Sequence, residues 1–394
     1  MSFSDSNRAN LHYVAESSWG VIPTLPVMQS LNINSESLVG NINSVTSETI
    51  RSDRNISDIV TVGGGASGDF AFEWRYADAD DLIEAALMGT WVEVAASAGN
   101  SVVSVSANII EADSSVLVNV VAGQFLRITG ASTTTNNGDF RVTAVSTVTS
   151  TTRVHVIDAS SGTATAFTSE TFDTVGQVFG KTIRNGTTMR SFTFEKEFAD
   201  IGEFAVYSGV RIGGMSLNFE SQAILKGAFT LSGKGQTTAS TTIASAVTAA
   251  NVIEPMNGSG NLVRVWEGST AVTGVVFQSL SVELNNNLRE QTRIGSDQLA
   301  GIGAGQCEVK GSVKAYFENS NLITKFANST KTSIGLQIQD NSGNAYIVTL
   351  PRVALTDFKT PVGGGNSDVI QDGSYGAVID SSGLYTIQID ALHA

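Results

Sequence analysis

The chain of 394 residues holds one cysteine, five prolines and three histidines, and only 15% of it is charged. Each shortage excludes something. A single cysteine cannot close an intrachain disulfide, and Cys307, between Gly305-Gln306 and Glu308-Val309-Lys310, reads as an ordinary strand residue with an inert thiol. His12, His155 and His393 stand far apart, with no cysteine or carboxylate at ligand spacing, so neither a metal site nor a Ser-His-Asp triad is expected. No Gly-x-Ser-x-Gly elbow or Walker-type lysine occurs. The expectation is a protein that is not an enzyme and holds no cofactor. No apolar run approaches the roughly 20 residues of a membrane helix, and no membrane partner is expected. The start, Met1-Ser-Phe-Ser-Asp-Ser-Asn7, has no basic segment leading into an apolar core, which predicts a chain that folds where it is made. Basic residues are outnumbered 23 to 37, for a formal charge of −14. Gripping nucleic acid needs clustered Lys and Arg, whereas a like-charged wall lets a phosphate backbone slide past.

What remains is rich in Ser, Thr, Val, Gly and Asn, with 41% apolar residues. That composition predicts an all-β fold, and the length suits two or three domains. Comparing the sequence with itself shows a repeat of elements. Gln29-Ser-Leu-Asn-Ile33 reappears as Gln278-Ser-Leu-Ser-Val282. Each copy is followed by a polar stretch of mixed charge, Arg51, Asp53, Arg54 and Asp58 in the first and Arg289, Glu290, Arg293 and Asp297 in the second. Each then passes through glycines (Gly63–Gly68; Gly301–Gly305) into an alternating strand, marked by Phe70, Phe72, Trp74 and Tyr76 in the first copy and by Val309, Gly311, Val313 and Ala315 in the second. A short helix is predicted after each strand, its first turn capped by Asp78-Ala-Asp-Asp81 or by Glu318-Asn-Ser-Asn321, with Gly89 as the stop of the first.

Between the first helix and the rest of the first copy lies a Ser/Thr/Val-rich stretch, about residues 93 to 180, with no counterpart in the second. Within it, Gln124–Thr129, Asn136-Asn-Gly138 and Asp139–Val145 read as a hairpin with a tight Asn-Gly turn, and Arg153–Asp158 adds a strand. The expected layout is a discontinuous first unit at 1–92 and 181–235, an inserted β-domain at 93–180, a polar linker at 236–260 and a second unit at 261–394. Strands are predicted at 191–195, 211–220 and 225–231 and, to close the second unit, at 383–390. Gly63-x-Gly65-x-x-Gly68 matches the dinucleotide-binding pattern in letters but not in context. The strand that follows it leaves no helix N-terminus for a pyrophosphate, so it reads as a flexible loop. The charged stretches read either as solvated loops or as arms that dock on a neighbouring subunit.

Taken together, Leu11–Val21, Gln29-Ser-Leu31, Ser47–Arg54, the glycine segment, Asp80–Leu87 and Ile183–Lys196 resemble the tail tube proteins of long-tailed bacteriophages. The resemblance implies β-sandwich units, each with one flanking helix, whose sheets join around a ring that lines a channel. It implies stacking of rings through a long loop, for which the eight charged residues named above are the candidates. With six tube units to a ring, a duplicated chain would close it as a trimer, a hexamer of chains being the alternative. Tape measure and tail-end proteins would be further partners, DNA would pass without specific binding, and the product would be a virion component assembled in the bacterial host cytoplasm. The inserted domain would face outward. A competing reading is a surface β-module that recognises a receptor or glycan.

Overall fold

A computed structural model describes residues 3–97, 103–117, 119–148, 150–159, 161–163, 165–172, 177–267, 270–271, 277–318 and 321–394. The first part gives β1 (Ala9–Ala15), β2 (Val27–Ser30), β3 (Ser35–Glu36), β4 (Val39–Thr46), the long β5 (Ile59–Glu73) and helix α1 (Asp80–Leu87). Then come β6 (Val92–Ser97), β7 (Val103–Ala107), β8 (Ile109–Asp113), β9 (Phe125–Thr129), β10 (Gly138–Val148), β11 (Thr151–Asp158) and β12 (Phe167–Phe172). β13 (Gln177–Arg184) leads on to β14 (Phe192–Phe198), β15 (Glu203–Glu220), β16 (Lys226–Gly233), β17 (Gly235–Ala239) and β18 (Ala246–Thr248). The last part holds β19 (Leu262–Glu267), β20 (Thr270–Ala271), β21 (Phe277–Asn285), β22 (Arg289–Gln291), β23 (Gly301–Gly303) and β24 (Glu308–Tyr316). It ends with helix α2 (Asn321–Ala327), β25 (Thr332–Gln339), β26 (Ala345–Lys359), β27 (Ile370–Ala377) and β28 (Gln388–Leu392). The fold is all-β, as the composition predicts.

One long strand joins two layers. From Phe204 to Ser208, β15 pairs with β14 and β17; from Arg211 onward it pairs with β16 and, from Gly214, with β21 in another sheet. The change of layer falls at Gly209, whose φ of +63° favours glycine. Its amide donates to Glu16 Oε1 at 2.7 Å and its carbonyl accepts from Trp19 Nε1 at 2.9 Å. β26 is built the same way: Ala345 to Thr349 pair with β28, and Val353 to Lys359 with β27, around Pro351. The counterparts agree in detail. Val210 lies opposite Phe192 and Val353 opposite Thr332, and a bulge follows in each strand, at Ile212/Gly214 and at Leu355/Asp357.

This correspondence makes β14 to β17 the counterparts of β25 to β28, the β4–β5 hairpin that of β21–β24, and β1–β2 that of β19–β20. The order of elements is therefore repeated, but the peptide chosen to anchor it is not. Gln29 lies in β2, paired with β1 and β18, whereas Gln278 lies in β21, in the other layer. Short polar-apolar triplets recur by composition, while strand equivalence depends on distant hydrogen-bond partners.

A single buried cluster runs from Leu11 through Trp74, Leu82, Phe194 and Phe229 to Val309, Tyr346 and Ile389. Residues from both copies therefore share one core. The stretch between β6 and β13 has a core of its own, with Ile110, Leu126, Ile128, Phe140, Val154 and Val156 all buried. It docks on the later part of the chain through Arg127, which pairs with Asp139 at 2.6 Å and donates to the carbonyl of Gly343, and through Trp266, whose Nε1 donates to Ala159 O at 2.7 Å.

Several local expectations are corrected. Gly63–Gly68 is no loop: it lies inside β5, where a Cβ on Gly64 would come 2.4 Å from the carbonyl oxygen of Asn41. Helix α1 begins after Ala79 with no side-chain cap. Its acidic residues turn elsewhere, Asp80 to Lys181 Nζ at 2.6 Å and to the Tyr346 hydroxyl, and Asp81 to the Tyr13 hydroxyl at 3.2 Å. They still lie at the positive end of the helix dipole. The left-handed residue that ends α1 is Met88 rather than Gly89, and Gly89 instead admits the Arg184 carbonyl, 2.2 Å from where its Cβ would sit. The hairpin β9–β10 forms, but its loop runs from Gly130 to Asn137, and buried Asn136 reaches across to Thr168 and Glu170. The closing strand starts at Gln388. Residues 236–260 are ordered against the first part: β17 pairs with β15, β18 runs parallel to β2, and Met256 N donates to Trp74 O.

Candidate assembly surface

Eight strands lie side by side in the order β4, β5, β16, β15, β21, β24, β27, β26. The first four come from one copy of the repeat and the last four from the other. They meet where β15 and β21 pair antiparallel, from Gly214 opposite Asn285 to Glu220 opposite Ser279. Because side chains alternate, one face of this sheet is apolar and packs on the core. Its lateral row Phe70, Phe229, Met215, Leu284, Val309 is buried throughout. Beside it the Tyr375 ring covers Gly311 and donates its hydroxyl to Ser281 O at 2.7 Å.

The other face is polar and exposed. Three of its lysines meet carboxylates, Lys310 with Glu283 at 3.7 Å, Lys314 with Asp372 at 3.9 Å and Lys359 with Asp357 at 2.7 Å, and Ser281 and Ser312 share a hydroxyl hydrogen bond at 2.9 Å. Asp69, Glu220 and Glu308 are further exposed acids on these strands. Such a face offers phosphates no array of uncompensated cations. Both ends of the sheet are open edges. Among the described residues β4 pairs with β5 alone, and Ala354 to Lys359 of β26 pair with β27 alone.

The β4–β5 hairpin projects beyond the sheet. Its apolar residues are unusually exposed: Ile42 at 77%, Ile50 at 98% and Ile56 at 68%. Four of the charged candidates sit in its turn. Arg51 grips Asp53 through Nε at 2.9 Å and Nη2 at 2.6 Å, and the guanidinium holds that carboxyl down at about 2. Arg54 takes a left-handed φ of +62°, and the Asp58 carbonyl accepts from Ser47 N at 2.9 Å. The other four lie beside the hairpin base rather than at its tip. Arg289 and Glu290 are in β22, paired with β23, and Arg293 follows in the exposed connection. The Asp297 carbonyl accepts from Gly64 N at 3.0 Å, and Leu299 and Ile302 are buried beneath. The two charged sets thus lie on neighbouring segments, which are joined through the Gly64 amide and the Asp297 carbonyl.

The family model described as phage tail tube protein matches residues 6–377. The chain belongs to that family. No curated protein matched it. Membership in a tail tube family assigns the protein a structural role in the virion tail. The polar face and the two sheet edges escaped sequence reasoning. Their one legible signal is the alternation of Ser, Lys and Glu with apolar residues in 279–285 and 308–315, which marks a two-faced strand but not what either face meets. Among the described residues no cluster of three or more His, Cys, Asp or Glu could hold a metal, and no helix is long and apolar enough to cross a membrane.

Proposed function

We propose that this tail tube protein assembles with copies of itself into rings of three chains, each chain supplying two tube units, and that the rings stack into the tube through which DNA leaves the capsid. The observation that carries this reading is the eight-strand sheet: two copies of one unit already joined edge to edge, with an open edge at either end. Closed symmetry would consume both edges, which otherwise invite aggregation. The polar face lines the channel, and its paired lysines and surplus acids keep DNA from adhering. The β4–β5 hairpin reaches the next ring. Covering its exposed isoleucines would contribute roughly 1.5–3 kcal/mol for each one fully buried, and the Arg51–Asp53 turn presents charge at the same contact. The second charged segment braces the hairpin base. The insert, with a core of its own, lies on the outside of the tube, and tape measure and tail-end proteins meet the ends of the stack in the host cytoplasm.

Electron microscopy of the purified chain, with mass photometry to count subunits, tests this. Annular stacks with three chains per ring are expected. Six chains per ring would discard the duplication, and a monomer that forms no rings across salt and concentration would overturn the reading in favour of a receptor-binding or glycan-binding module.

A further inference from the structure

The junction inside the chain serves as a template for the junction between chains. Phe70 pairs with Phe229 on one side and Glu36 on the other, and Val313 pairs with Gly373 and Leu280 in the same sense. Glu36 and Leu280 are therefore counterparts, which places Asn41 on Asn285 and Val39 on Glu283. The match extends to burial, since Leu38 and its counterpart Val282 are each 1% exposed on the core side. At the other end, Gly214 and Asp357 are each the first residue past the shared bulge, opposite Thr230 and Ser374. In β15 the edge beyond that bulge is occupied by β21, with Gly214 opposite Asn285 and Ser216 opposite Glu283. In β26 the equivalent edge carries no strand, and neither does the outer edge of β4, the counterpart of β21, where Gly40 N donates to the Gln236 side chain at 2.7 Å instead.

Resting on the ring reading above, we propose that β26 of one chain pairs antiparallel with β4 of a second copy, Asp357 opposite Asn41 and Lys359 opposite Val39. Backbone N–H and C=O groups that meet no other strand then pair in the pattern the chain already uses internally, the Gln236 side chain giving up Gly40 N to the incoming strand. Asp357 and Lys359 keep their charges on the polar face, and Pro361, which has no N–H, ends the edge just beyond them. The same residues blunt the edge before assembly, since charges and proline discourage pairing with a wrong partner.

The test is a two-by-two cysteine set in a full chain carrying Cys307→Ser. Asn41→Cys or Val39→Cys is combined with Asp357→Cys or Lys359→Cys, all at exposed positions. Assembled protein is then treated with a short bis-maleimide. Matched pairs (41 with 357, 39 with 359) are expected to give covalent dimers and closed trimers at least several-fold more than the crossed pairs. Rings that cross-link best through the crossed pairs, or not at all, would overturn this edge pairing while leaving ring assembly intact. Absence of rings in the parent and in all variants would remove the ring reading and this pairing with it.

Discussion

Tyr346 packs edge-on against Trp74, ring centroids 5.3 Å apart at 69°, although one residue belongs to the second copy of the repeat and the other to the first. Tyr346 is buried, and its hydroxyl accepts from Ala77 N at 2.9 Å while donating to Asp80 at the start of α1. Burial beside that carboxylate pushes the phenol well above its ordinary range, so it stays a donor at every working pH. The copies are thus joined by a shared sheet and by a buried aromatic hinge next to the helix.

Tyr346→Phe keeps the ring contact and removes the hydroxyl, leaving the Ala77 amide without its acceptor. Hydrogen bonds to charged groups and orphaned buried donors are worth about 2 kcal/mol. A loss of about that size is expected in urea unfolding of the purified chain, with the assembled state unchanged in electron micrographs.

Asp390 governs a pH dependence. It is fully buried in β28, accepting from Gln388 Nε2 at 2.7 Å and Phe125 N at 3.3 Å. Burial pushes its carboxyl up to about 7, against the smaller opposing pulls of these hydrogen bonds and of Arg184. The folded chain therefore holds a proton that the unfolded chain releases near the ordinary carboxyl value of about 4. Stability from this group is fully present below about 4, falls as pH rises toward about 7 and is level above it. Asp390→Asn should flatten that fall, which is on the order of a few kcal/mol. Urea midpoints at pH 5 and pH 8, compared between parent and variant, read the difference.

Gly311 tests the packing of the shared sheet. A Cβ there would lie 2.0 Å from Ser281 O and 2.5 Å from the Tyr375 hydroxyl. The first contact is backbone and cannot yield cheaply. Gly311→Ala should cost at least the roughly 1–3 kcal/mol of an overpacked core, seen as a lower thermal midpoint. Gly364→Ala, with nothing within 4 Å, serves as the control and should leave the midpoint in place.

How much of this was legible in the sequence follows from the range of the interactions. Alternation over Phe70, Phe72 and Trp74 places those side chains in the core, because period two is local. The two helices were found from charge and apolar onset for the same reason, although Asp80 and Asp81 of α1 serve tertiary partners instead of caps. The glycines of β5 misled, because the crowding that demands them comes from Asn41 and Leu38 on the neighbouring strand. The roles of β15 and β26 were illegible, since a strand that changes layer midway reads as one run of alternating residues. The family resemblance came from short segments whose order is kept. The separation of the eight charged residues into tip and base was illegible too, since it depends on how 286–307 folds back onto Gly64.

The exposed isoleucines of the hairpin give the sharpest test of stacking. Ile50 and Ile56 flank the Arg51–Asp53 turn and make no contribution to the buried core. Replacing both with serine removes apolar surface without touching either sheet edge. Unfolding should be unchanged within about 0.5 kcal/mol, as for surface substitutions generally. If the hairpin joins rings, its loss should act on stacking alone. Sedimentation velocity should show the long polymer replaced by single rings, and micrographs should show annuli without tubes. Asp53→Ala, which releases Arg51 from the turn, should shorten tubes in the same direction with no measurable change in unfolding. Tubes of normal length from the double serine variant would show that the hairpin does not carry the stacking contact, and the bracing segment at 289–297 would then be the surface to alter next.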